Sequence, residues 1–134
     1  MTEKPLPAIS AASAPYWEAA ANGKLLLQYC AACARYLFYP RSWCPHCYGG
    51  ALEWRPASGR GAVHTYSVVH AAPCVGFEAD APYVVAVIDL QEGPRMMANI
   101  IGCAPETVRV GLPVEVAFEK RGAISLPQFR PVAA

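Results

Sequence analysis

Four of the six cysteines stand in two matched pairs, Cys30-x2-Cys33 and Cys44-x2-Cys47, with ten residues between them. A C-x2-C turn lets two thiolates point at one centre, and two such turns supply the tetrahedral S4 set that zinc prefers. The spacing therefore predicts a zinc ribbon, two knuckles clamped on one ion. With all four positions filled by protein thiolates, no position stays open for water or substrate, so the metal is expected to be structural. The segment between the pairs carries its own aromatic residues, Tyr36, Phe38, Tyr39 and Trp43.

Other readings of the cysteines stay open. Two disulfides are one. A redox C-x-x-C is another, although such a motif is usually single and set in a βαβ pattern absent here. Iron is a third, because the Cys44-Pro45-His46-Cys47 turn is similar to a rubredoxin knuckle and S4 sites take either metal. His46 and His64 are read as surface residues beside a complete ligand set. Zinc knuckles favour glycine just after the second cysteine of each pair, where the backbone often needs positive φ. Here those positions are Ala34 and Tyr48.

Composition narrows the class. A chain of 134 residues is one domain or two very small ones. It has no apolar run long enough to cross a membrane and no visible secretory signal, so a cytoplasmic location is expected. Cys74 and Cys103, in apolar surroundings, are read as buried thiols. Net charge is +1, without the basic excess usual in nucleic-acid binders. The hydrophobic fraction of 54% is high for a small chain, which has proportionally little interior. Part of that apolar surface is expected to meet another protein or an apolar ligand.

The expected fold is mainly β: a short N-terminal helix, a rubredoxin-like zinc ribbon, then a five-stranded OB-fold barrel. Residues 1–23 are assigned to an arm and helix, 24–50 to the ribbon and 51–134 to the barrel. Ser13, Pro15 and Glu18 mark a helix start, and Asn22-Gly23 its stop. Tyr16 and Trp17 on so short a helix must dock on this chain or on a partner. Ribbon strands are expected over 24–29 and 37–39. Barrel strands are expected over 63–69, 83–90, 95–101, 108–118 and 124–129, with a short helical link near 103–107 and Pro113 at a strand start or edge. The loop 71–82, which carries Phe77, Glu78 and Asp80, is long enough to cover a ligand or touch a partner. No nucleophile–histidine–carboxylate order, P-loop or dinucleotide fingerprint is present. His70 and Cys74 are read as loop residues rather than a catalytic pair, and no catalytic residue is assigned.

The order of these pieces resembles one family. A Tyr-Trp helix, the paired-cysteine ribbon with Pro40-Arg41 before its second pair, Ser58-Gly59-Arg60-Gly61, and Leu126-Pro127-Gln128-Phe129-Arg130-Pro131 together match the zinc-ribbon plus OB-fold proteins first catalogued as domain of unknown function 35. The resemblance spans about residues 13–132. It implies an accessory subunit of a thiolase-like acyl-CoA enzyme (a thiolase, an acyltransferase or a thiolase-fold aldolase), commonly as a heterotetramer. The catalytic cysteine and histidines would belong to the partner, and the small subunit would help shape the region that binds CoA or acyl-CoA. Cys30, Cys33, Cys44 and Cys47 match the family's metal ligands one by one. No CoA-contacting residue carries over; Phe38, Tyr39 and Arg41 are our own candidates, as aromatics beside a cation. The competing readings are a single-stranded nucleic-acid module, a stand-alone acyl-CoA-binding protein or hydrolase, and a rubredoxin-like electron carrier.

Overall fold

The structure, a computed structural model, describes residues 6–71 and 82–132. Its helix α1 spans Ala14–Ala21, with Pro15 in the first turn, where a missing N–H costs nothing. The Asn22 N–H closes the last turn on the Ala19 carbonyl, and Gly23, at φ +73°, donates its N–H to the Ala20 carbonyl. Two expectations fail at the helix start. The Ser13 hydroxyl makes no bond to a helix N–H; it faces Ser10, with the two Oγ atoms 2.9 Å apart. No acidic residue lies in the first turn, because Glu18 falls one turn further along. What holds the helix is burial: Tyr16 and Ala20, four residues apart on one face, are both buried.

The ribbon is a three-stranded antiparallel sheet in the order β2-β1-β3, formed by β1 (Leu26–Cys30), β2 (Arg35–Leu37) and β3 (Leu52–Pro56). The return strand starts two residues earlier than 37–39, because the turn through Ala34 puts Arg35 directly opposite Cys30. β3 pairs along the full length of β1, from Leu26↔Pro56 to Cys30↔Leu52.

The remaining strands are β4 (Arg60–Val69), β5 (Tyr83–Leu90), β6 (Arg95–Ile100), β7 (Pro113–Arg121) and β8 (Ile124–Pro131), closed into a barrel in the order β4-β5-β6-β8-β7. The apolar run of β5 alternates: Val84, Ala86, Ile88 and Leu90 are buried and the residues between them half-buried. The strand expected from Val108 begins instead at Pro113. A 3-10 turn over Pro105–Thr107 and a turn through Gly111, φ +87°, occupy the intervening stretch. Val108 and Leu112 remain buried there while Val110 points to solvent.

Barrel closure depends on two seams. At β4–β7 only Arg60, Gly61 and Ala62 pair with Glu115, Val114 and Pro113. A Cβ on Gly61 would sit 2.5 Å from the Asp89 carbonyl oxygen, and one on Gly59 2.6 Å from Val116 Cγ1. The Ser58-Gly59-Arg60-Gly61 motif is thus the place where backbones approach too closely for side chains. At β6–β8 a single parallel pair, Ile100↔Phe129, is formed. The buried Gln128 amide bridges the rest, its Oε1 accepting the Asn99 N–H at 2.7 Å while Asn99 Nδ2 donates to the Val84 carbonyl at 2.9 Å.

The main core runs through Val63, Val84, Ile88, Val114 and Phe129 and continues without a break to Leu25, Leu27 and Tyr16. The helix and the base of the ribbon therefore share the barrel's interior. Burying each of these larger side chains contributes about 1.5–3 kcal/mol. Cys30, Leu37 and Cys44 form a second, smaller core inside the ribbon.

Candidate functional site

The four predicted cysteines converge. Their sulfurs all lie within 4.8 Å of one another, with Cys33 Sγ 3.4 Å from Cys44 Sγ and Cys30 Sγ 3.6 Å from Cys47 Sγ. A tetrahedral zinc site with bonds of about 2.3 Å needs sulfurs roughly 3.8 Å apart, so the donor set fits that ion. Each pair arrives on a knuckle. β1 delivers Cys30, and the chain reverses through Cys33 and Ala34 into β2. Cys44 starts the second turn: Tyr48 N–H bonds its carbonyl at 2.8 Å, and its own N–H bonds the Gly49 carbonyl at 2.9 Å.

The two positions where glycine would be expected do carry left-handed backbone, φ 55° at Ala34 and 61° at Tyr48. Both knuckles thus hold the expected geometry against the steric preference of the residue present.

Electrostatics divide the thiols. Burial opposes ionisation of Cys44, but hydrogen bonds from the backbone N–H groups of Cys47 and His46 outweigh it and bring its pKa down to about 6. Cys33 is pushed up to about 12, chiefly by hydrogen bonding to Cys30 and then to Cys44. Clustered sulfurs share protons in this way until a cation replaces them.

Neither histidine considered above joins the cluster. His46 Nδ1 lies 3.2 Å from Arg35 Nη1, and His64 Nδ1 lies 3.1 Å from Asp89 Oδ2. Cys103 is a half-buried free thiol packed against the main core. Cys74, with Phe77, Glu78, Asp80 and most of the 71–82 loop, lies outside the described residues; His70 is exposed.

The helix aromatics dock on this chain. Tyr16 meets Phe38 at 5.6 Å between ring centroids and Trp17 edge-on at 4.9 Å. Burial, reinforced by Tyr39, raises the Tyr16 phenol well above its ordinary value.

Phe38, Tyr39 and Arg41 divide between two clefts that meet at Phe38. Tyr39 and Phe38 line an apolar cleft of about 580 Å³, walled by Tyr16, Trp17, Met96 and Leu126, with Ser13, Asn99 and Gln128 among its polar residues. Arg41 and Phe38 line a wider cleft of about 1070 Å³ between the ribbon and the β5–β6 turn, shared with Arg35, Arg55 and Arg95. Sequence reasoning missed these last three arginines and the methionines. They come from separate segments, and no local pattern links them. The Phe38–Tyr39 peptide is cis. Trp43, 54% exposed, and Tyr48, 78% exposed, project from the second knuckle.

A four-cysteine ribbon sharing its core with a closed five-stranded barrel defines the class: a zinc-ribbon and OB-fold protein. Two family models match in tandem, the ChsH2 rubredoxin-like zinc ribbon domain over residues 17–53 and the ChsH2 C-terminal OB-fold domain over residues 54–119. A DUF35 domain-containing scaffold protein of Methanothermobacter thermautotrophicus is 40% identical over 92 residues, 68% of each chain. A probable enoyl-CoA hydratase alpha subunit of Thermomonospora curvata is 40% identical over 131 residues, 96% of this chain. This chain spans only 40% of that relative's length. Among solved structures, the Ltp2-ChsH2(DUF35) aldolase contains a chain 38% identical to this one, with a TM-score of 0.85 over 96% of this chain and 100% of that one. The chain belongs to the DUF35 family, of the ChsH2 zinc-ribbon and OB-fold type. Among the described residues no helix is long and apolar enough to cross a membrane.

Proposed function

We propose that this chain is a non-catalytic accessory subunit of an acyl-CoA enzyme, in which a structural zinc braces the ribbon and the ribbon–barrel junction helps shape the partner's CoA-binding region. One observation carries the reading: the full-length likeness to a chain of the Ltp2-ChsH2(DUF35) aldolase. The scaffold and hydratase-subunit names of other relatives support the same class of partner. A thiolase-like enzyme is the partner proposed, in a heterotetramer with two copies of each chain. Zinc on Cys30, Cys33, Cys44 and Cys47 would hold both knuckles. Phe38, Tyr39 and Arg41 are the proposed CoA contacts, set where the two clefts meet.

The test is affinity capture of the tagged chain from its native host, with mass spectrometry of the co-purifying protein and metal analysis. A stoichiometric thiolase-fold enzyme with one zinc per small subunit is the expected result, and deletion of the ribbon should abolish that enzyme's activity. A metal-loaded chain that captures no enzyme, or a partner fully active without the ribbon, would refute the proposal.

A further inference from the structure

The wider cleft holds an unusual charge distribution for this chain. The whole sequence carries 11 basic and 10 acidic residues, net +1. Four of those basic residues, Arg35, Arg41, Arg55 and Arg95, line one cleft against two carboxylates, Asp89 and Glu92. Both carboxylates make contacts, although the buried Oε1 of Glu92 has no hydrogen-bond partner. Asp89 accepts from Arg95 Nε at 2.7 Å and faces His64, and Glu92 Oε2 accepts the Ser58 N–H at 2.8 Å. Arg55 pairs with Glu53 and lies over the Tyr29 ring, 3.7 Å from its centroid. Among the described residues, Arg35 and Arg41 have no carboxylate partner; Arg35 Nη1 lies 3.2 Å from His46 Nδ1, which lines the same cleft.

The backbones that carry these two arginines are fixed. Arg35 sits opposite Cys30 in the β1–β2 ladder. Arg41 is held by its own N–H and carbonyl, both bonded to Gln28. Two guanidinium forks on braced backbone, in a cleft of about 1070 Å³, suit a ligand with several anionic oxygens. Because their backbones are already ordered, less ordering remains to be done on binding.

We infer that the cleft between the ribbon and the β5–β6 turn is a subsite for a diphosphate-bearing small molecule, gripped by Arg35 and Arg41 and flanked by Arg55 and Arg95. The near-neutral net charge of +1 favours a small ligand over a polynucleotide. The identity of that ligand as coenzyme A, which carries a diphosphate, rests on the proposed function; the anion chemistry of the cleft does not.

The experiment is calorimetric titration of the zinc-loaded full chain with inorganic pyrophosphate and, separately, with ADP. Saturable binding that weakens with added salt is expected for both. Arg35→Gln and Arg41→Gln should each lower affinity by about tenfold or more, the loss of a charge-assisted contact. Arg109→Gln, an exposed arginine that does not line the cleft, should leave affinity unchanged. Zinc content measured on each variant separates a lost ligand contact from a damaged ribbon, and Arg41→Gln stays informative if Arg35→Gln disturbs the adjacent knuckle. Tighter binding of ADP than of pyrophosphate would extend the site to the nucleoside; equal affinity would confine it to the diphosphate. Absence of saturable binding, or equal loss in all three variants, would overturn the inference. Partner capture is scored separately, so an enzyme captured by a chain that binds no anion leaves the accessory role standing and removes this subsite.

Discussion

The Gln28 side chain bonds both backbone groups of Arg41: its Nε2 donates to the Arg41 carbonyl and its Oε1 accepts the Arg41 N–H, each at 2.7 Å. The amide does for a non-strand residue what a neighbouring strand would do, and it does so at 6% exposure. It fixes the end of the aromatic segment whose residues line both clefts. Gln28→Leu should therefore destabilise the fold by about 2 kcal/mol, because it leaves a backbone donor and acceptor without partners. Gln28→Glu should cost at least as much, since it removes the donor and adds a buried charge. Urea denaturation checks both, and an unchanged midpoint for Gln28→Glu would contradict the bonding described.

Backbone strain in the knuckles predicts gains from glycine. Ala34→Gly and Tyr48→Gly should each stabilise the metal-loaded chain by about 0.5–1 kcal/mol, the relief of a left-handed residue less the entropy glycine loses on folding. Tyr48 is largely exposed, so little packing is lost with its ring. Thermal melting reads the effect. A lower midpoint in both variants would argue against the knuckle geometry.

The sulfur cluster predicts proton release. Cys33, with its pKa pushed up to about 12, holds its proton near neutrality and must surrender it to a metal. Zinc added to the metal-free chain in weak buffer at about pH 8 should acidify the solution, and affinity should fall as the pH is lowered. Cys44→Ala should weaken zinc binding, because one of the four thiolate ligands is lost. Binding with no pH change would count against thiolate ligation.

Burial of Tyr16 gives an alkaline limit. Its pKa is raised above the ordinary 10.0, so the folded state holds this proton more tightly than the unfolded chain does. That contribution is fully present below about pH 10 and is lost as pH climbs toward the raised value. The difference in urea midpoint between wild type and Tyr16→Phe should be flat up to about pH 9 and then narrow or reverse toward pH 11. A difference that stays constant across that range would mean the phenol is not buried in solution.

Closure of the barrel at Gly61 should tolerate no side chain. Gly61→Ala places a methyl 2.5 Å from a carbonyl oxygen of β5, and overpacking of this kind costs about 1–3 kcal/mol. Gly93→Ala, in the β5–β6 turn, meets nothing within 4 Å, although its φ of +116° disfavours alanine. The two together separate steric closure from backbone strain: Gly61→Ala should lower the denaturation midpoint although no positive φ is involved, and a neutral result there would exclude the close approach.

Much of this molecule is legible in its sequence. The metal centre was readable because C-x2-C turns are local, so spacing alone states which sulfurs can meet. The barrel strands were readable as short apolar or alternating runs bounded by turn residues, whereas the buried and half-buried alternation of Val84, Ala86 and Ile88 within one apolar run was set by packing. The absence of glycine at Ala34 and Tyr48 left the local knuckle geometry open in the sequence, and the structure shows both residues at positive φ. Tertiary structure decided what depends on residues far apart. It set Tyr16 in the shared core, turned Gln28 and Gln128 into bridges where strand pairing ends, and started β7 at Pro113. It also split Phe38, Tyr39 and Arg41 between an apolar and a cationic cleft. Those outcomes follow from which distant surfaces exclude water together, a property of the packed whole that no window of sequence carries.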